Sequence, residues 1–219
     1  MKRFSLIGLI FALAVLAGGC ASYSTKSVNP TQIDESKLVK DTSNDIAVVA
    51  FPILTEKDSK DYFDENLIGE KVLAVYMSIL NNTSEEIKFV SSNLSVQSDN
   101  KKLTFSSSPL ATEDVYKYIK RSYAGKSIFW MSFTYFVGAP ISAAHTKSVN
   151  NKIEKDLQAK ILKFGNIKSK ESIQGFLWFR LSDDLMSEQN AKLVLRLIFE
   201  QNNGVLVGKD LLFPVPTVD

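Results

Sequence analysis

Lys192-Leu193-Val194-Leu195-Arg196-Leu197-Ile198-Phe199-Glu200 decides the fold class of this chain. Leu193, Leu195, Leu197 and Phe199 fall on one face at period two, with Arg196 and Glu200 on the other. Side chains of a strand alternate between faces, so this run predicts a strand with one buried side. Asn202-Asn203-Gly204 then supplies turn chemistry, and residues 204–213 read as the closing strand. On the near side, Gly175-Phe176-Leu177-Trp178-Phe179-Arg180-Leu181 is a strand of near-continuous apolar character.

The first half follows the same period. Ile46-Ala47-Val48-Val49-Ala50-Phe51-Pro52-Ile53-Leu54, preceded by Asp45, is a β-branched apolar run in which Pro52 marks an edge or a bend. A polar loop is expected over 55–65. In the run 70–80, Leu73, Val75, Met77 and Ile79 share one face, and Asn81-Asn82-Thr83-Ser84 ends it in a turn. Further short strands are expected at 87–90, 94–97 and 102–105. About seven short strands separated by turns predict a β-sandwich.

Between the two halves the period changes to that of a helix. Val115 and Ile119 share a helical face within 113–121. Val149, Ile153, Leu157, Ile161 and Phe164 recur at spacings of four, four, four and three, which predicts an amphipathic helix over 149–164. The fold class is therefore mainly β (α+β), with a helical, apolar insertion over about 112–165.

Tyr62-Phe63-Asp64, Asn66-Leu67, the Ile79-Leu80-Asn81-Asn82-Thr83 strand end, the central apolar stretch with its helix, and Gly175-Phe176-Leu177-Trp178-Phe179 together resemble a recurring type of bacterial lipoprotein. The resemblance spans most of residues 45–219. It implies an immunoglobulin-like sandwich, and it brings no catalytic residues, since those proteins have no assigned activity.

The N-terminus points the same way. Met1-Lys2-Arg3 precedes an uncharged run of sixteen residues, Phe4 to Gly19, which is the pattern of a secretory signal peptide. The run is short of the ~20 residues that cross a bilayer. Its end, Leu16-Ala17-Gly18-Gly19-Cys20, resembles a lipobox, in which small residues precede a cysteine that is lipidated after cleavage between Gly19 and Cys20. Ala17 departs mildly from that pattern, where a larger aliphatic residue is commoner. The competing reading is an ordinary secreted protein whose mature chain begins near a cysteine. Cys20 is the only cysteine, so no internal disulfide can form, and lipidation would remove an exposed thiol. Two or more acyl chains on one residue make membrane attachment stable. Ala21 rather than Asp after the cysteine resembles the pattern of lipoproteins forwarded to the outer membrane, which implies its periplasmic face.

Lys2 and Arg3 leave with the signal peptide, so 24 of the 26 basic residues remain against 24 acidic ones. A neutral chain has no field to attract nucleic acid. Residues 21–44 are Ser-, Thr-, Asn- and Lys-rich, with no aromatic residue after Tyr23. Such composition predicts a flexible tether over 20–44, reaching roughly 25–30 Å as a coil. Residues 45–219 suit one domain.

Ser127 to Ala144 carries no formal charge over eighteen residues, including Ile128, Phe129, Trp130, Phe133, Tyr135, Phe136, Val137 and Ile141. Its apolar side chains favour membrane insertion by only roughly 2–3 kcal/mol in sum on the insertion scale. Ser132, Thr134, Ser142, Gly138 and Pro140 oppose a span. Three readings stand: a buried helix, an exposed surface that docks a partner, and shallow insertion in which Trp130 and Tyr135 sit at the interface. On the latter two, Phe129, Trp130, Phe133, Phe136 and Val137 are the contact residues.

The remaining chemistry-bearing residues form no recognisable site. His145 is the one histidine, and zinc sites take several His or Cys ligands. Asp58, Asp61, Asp64 and Glu65 lack the alternate spacing and turn glycine of a calcium loop. Asp183-Asp184 reads as a turn or helix cap. Asn81, Asn82 and Asn93 each match a glycosylation pattern, which has no expected consequence in a bacterial periplasm. The expectation is a non-enzymatic, cofactor-free protein without a small-molecule substrate, bearing only the covalent lipid on Cys20. It would bind or scaffold another envelope component. The alternative is a structural or stress-related envelope protein whose insertion touches the membrane.

Overall fold

A computed structural model of the chain describes residues 23–29, 32–99, 106–120, 138–188 and 191–216, with only the backbone described over 138–146. The chain divides into two compact units, one of residues 1–23 and 120–155, the other of residues 24–119 and 156–219.

Among the described residues, the second unit carries nine strands in two antiparallel sheets. The first sheet has the order β1 (Val39–Asp41), β2 (Ile46–Pro52), β3 (Val72–Asn81) and β7 (Ser172–Arg180). In the second, β4 (Ile87–Ser98) pairs with β8 (Lys192–Gln201), which pairs with β9 (Leu206–Pro214). The other side of β4 is shared by β5 (Ser106–Ser107) and β6 (Gly165–Ile167). Both sheets are open and share one apolar core, an arrangement consistent with a sandwich.

Alternation decides which side chains fill that core. Leu73, Val75, Met77 and Ile79 of β3 face Leu193, Leu195, Leu197 and Phe199 of β8 as members of one cluster, all fully buried. Each such side chain contributes about 1.5–3 kcal/mol on burial. The two short strands expected at 87–90 and 94–97 are one strand, β4, whose register to β8 shifts between Phe89 and Leu94. A bulge inserts unpaired residues without ending the strand, so the polar Ser91-Ser92-Asn93 is carried within it. The strand expected over 102–105 lies outside the described residues.

The first sheet is buried on its outer face as well. Phe51, Tyr76 and Phe176 stand opposite one another across β2, β3 and β7. Helix α1 (Glu56–Phe63) covers that row: Phe63 meets Phe176 at 4.9 Å and Trp178 at 6.1 Å between ring centroids, and Tyr62 meets Phe51 edge-on at 5.9 Å. Residues 55–65, expected as a polar loop, therefore hold a helix. Thr55 accepts a hydrogen bond from the Asp58 N–H at 3.1 Å, the capping arrangement that starts a helix. Asp64 ends it in the left-handed conformation.

Helix α2 (Thr112–Ile119) buries Val115 and Ile119, as their spacing predicts. The longer helix α3 (Gly138–Lys160) begins eleven residues before the expected 149 and ends four before 164. Pro140, counted above against a membrane span, is the third residue of α3, where a backbone N–H has no helical partner to lose. At the other end, Leu162 N–H donates to the Phe176 carbonyl at 2.9 Å and Ile161 bridges Phe176. The sheet thus takes these residues from the helix. Gly175 permits the approach, because a Cβ there would lie 2.5 Å from Leu162 N. The short α4 (Asp183–Ser187) is capped by Ser182, with Asp183 and Asp184 in its first turn.

Candidate functional site

Gly19, Cys20, and the segment holding Phe129, Trp130, Phe133, Phe136 and Val137 lie outside the described residues. His145 falls in α3, where only the backbone is described. The polar stretch that leads away from Cys20 is described from Tyr23 onward, and it differs from the expected free coil.

Its first fixed point is at Thr25 and Lys26. Lys26 N–H donates to the Asp61 carbonyl at 2.8 Å, while its ammonium pairs with the Asp61 carboxylate at 2.8 Å. That carboxylate also takes Lys57 at 3.2 Å, and the two ammonium groups hold its pKa below the usual aspartate value. Beside it, Lys160 at the end of α3 donates to Thr25 Oγ1 at 2.9 Å, to the Tyr62 carbonyl at 2.7 Å and to Asp156 at 2.7 Å. The ammonium also stands 5.6 Å from the centre of the Phe63 ring. Burial pushes its pKa down, opposed by the hydrogen bond to Asp156. Arm, α1 and the end of α3 are thus tied at one charged node.

The arm is fixed twice more downstream. Lys37 pairs with Asp58 of α1 at 2.9 Å and lies 6.0 Å from the Phe51 ring centre. Residues 39–41 become β1, an edge strand antiparallel to β2 with Val39 packed against the core. Asp41 and Ser43 then receive Lys209, which is wholly buried on the inner face of β9. Its ammonium donates to Asp41 Oδ1 at 2.9 Å, to Ser43 Oγ at 2.7 Å and to the Ser43 carbonyl. Asp41 is held down to about 2, first by the Ser43 hydroxyl, then by Lys209 and the Ser43 N–H. One lysine therefore links the edge of one sheet to the edge of the other.

Sequence reading missed these residues, although a signal was present. Along Val207, Lys209, Leu211 and Phe213 the inward positions of β9 alternate cleanly, and a lysine stands among them. A buried lysine demands partners, and Asp41 and Ser43 supply them. Lys160 gave no such signal, because it sits on the polar face of its helix pattern.

Other predicted features are placed as follows. Asp58 and Asp61 are ion-paired on α1. Asp183 pairs with Lys71 at the surface. Asn81 is fully buried, its amide donating to the Glu85 and Ile167 carbonyls at 2.7 and 2.9 Å, so it organises the turn rather than presenting a glycosylation site. Among the described residues there is no group of three or more metal-ligating side chains, and no helix is long and apolar enough to cross a membrane. Trp178 Nε1 is buried without a hydrogen-bond partner among them. No protein-family model matches the chain, and no curated protein matches it either.

Proposed function

We propose that this chain is an envelope lipoprotein, lipidated on Cys20 after cleavage behind Gly19, whose immunoglobulin-like sandwich binds or scaffolds another envelope component. The Leu16-Ala17-Gly18-Gly19-Cys20 end of a short apolar leader carries this reading, since it accounts for the chain's sole cysteine. Two open antiparallel sheets over one core support the sandwich. The outer membrane is the proposed location, from Ala21 following the cysteine. The Phe129–Val137 stretch is the proposed partner contact.

A photocrosslinker at Phe133 or Phe136 in living cells tests the binding role. One envelope protein captured at both positions, and lost when the neighbouring Phe129 is changed to Ser, is the expected result. Adducts to lipid alone at both positions would replace a protein partner with the membrane.

A further inference from the structure

We propose that the α1 face, on which the arm docks, is the side of the domain held against the lipid headgroups. The inference rests on lipidation of Cys20 and adds an orientation to it.

Chain length is the argument. A free arm of 24 residues would let the domain float roughly 25–30 Å from its anchor in any orientation. The arm is not free over that length. Thr25 and Lys26 are bound to Lys160 and Asp61, so the first docked residue is five residue steps from Cys20 along the chain. Five residue steps reach at most ~18 Å when fully extended. A headgroup layer takes up about 5–7 Å of that on one side of the bilayer. The docking point therefore stands within about 11–13 Å of the headgroup surface.

What surrounds the docking point is the solvent side of α1. Lys57, Lys60 and Lys26 are exposed there, yet each is paired with Glu56 or Asp61. Charges balanced in this way neither repel a bilayer nor require anionic lipid. The face carries no large exposed apolar side chain; those among the described residues are Val205, Leu206 and Leu212, on or beside β9. Contact with headgroups fits this surface, and insertion into hydrocarbon does not. Leu206 points out of the second sheet, on the side away from α1, and so provides the distal reference.

Full-length lipidated protein is reconstituted in phosphatidylcholine vesicles containing a small fraction of nitroxide-headgroup lipid. Single fluorophores are placed at Lys57→Cys and at Leu206→Cys; the lipidated Cys20 sulfur is a thioether and takes no label. Quenching several-fold greater at 57 than at 206 is expected, and Thr25→Ala, Lys26→Ala and Lys160→Ala combined, which lengthen the undocked stretch towards Lys37, should narrow that difference. Equal weak quenching in protein whose mass includes the lipid would overturn the orientation while leaving lipidation intact. Stronger quenching at 206 would reverse the orientation. A mass without lipid would remove the Cys20 reading itself and the orientation with it. If Lys57→Cys resists labelling in intact envelopes but not in vesicles, a protein covers α1 and the proposal fails.

Discussion

Asp41→Asn and Lys209→Met remove opposite halves of one buried contact and should not cost the same. Lys209 is completely buried, whereas the Asp41 side chain retains 26% of its exposure. Removing the lysine charge leaves Asp41 still bonded to the Ser43 N–H at 2.8 Å and the Ser43 hydroxyl at 2.7 Å, with water at hand. That loss amounts to about 1–2 kcal/mol, the value of one or two hydrogen bonds. Removing the carboxylate charge leaves an ammonium inside the sheets with neutral acceptors only, Ser43 and the new amide oxygen. We expect about 3 kcal/mol, the lower end of what breaking a buried pair costs. The double variant should recover about 1 kcal/mol or more relative to the sum, because the two sites share one interaction.

Urea unfolding of each variant at neutral pH reads these differences as midpoint shifts. Acid gives a second reading. Asp41 is lowered from 3.8 to about 2, so between those values the unfolded chain binds its proton and the folded chain does not. The stability it confers is full above pH 3.8 and is lost as pH falls towards 2. Asp41→Asn should flatten that part of the profile. If Asp41→Asn costs no more than Lys209→Met, and the acid profile is unchanged, the carboxylate does not hold the buried lysine and the reasoning fails.

Three further outcomes follow from the fold. Thr55→Ala deletes the acceptor for the Asp58 N–H and should cost about 1 kcal/mol in urea unfolding, whereas a neutral result would show that α1 does not depend on its cap. Phe63→Ala should cost about 3–5 kcal/mol, and it should expose the arm at Thr25–Lys26 to limited proteolysis, since Phe63 sets α1 on Phe176 and Trp178. Gly175→Ala should cost about 1–3 kcal/mol, because its Cβ would meet the Leu162 backbone at 2.5 and 2.6 Å; an unchanged midpoint would mean that this backbone gives way freely.

The elements legible in the sequence are those whose periodicity runs long enough to name a face. Residues 73–79 and 193–199 alternate over four apolar positions each, and the core uses those eight side chains. The 176–179 run, apolar at every position, is buried on both faces because α1 covers the side away from the other sheet. What stayed hidden depends on partners distant in sequence. Three residues of β1 have too little pattern to declare a strand, and β2 and Lys209 recruit them. Helix α1 buries little beyond Ser59 and Phe63, too few positions for a period, so 55–65 read as a polar loop. The C-terminal end of α3 was misplaced because Ile161 and Phe164 fit the helical period, while the carbonyl of Phe176 claims the N–H of Leu162. Of the candidate site, Cys20 is an expectation from the leader motif and the 127–144 segment one from its uncharged run; Cys20 and residues 127–137 lie outside the described residues. The docked arm could not, since its anchors at Asp61, Asp156 and Lys160 lie from 35 to 135 residues away.

The central claim is most directly tested by the intact mass of the protein extracted from membranes. Cleavage behind Gly19 followed by lipidation predicts a chain of 200 residues, starting at Cys20 and heavier than its sequence by a diacylglyceryl group and an amide-linked acyl chain. A Cys20→Ala form should retain its leader and gain no lipid. A soluble mature chain with an unmodified Cys20 thiol, or one cleaved at any other bond, would contradict the account.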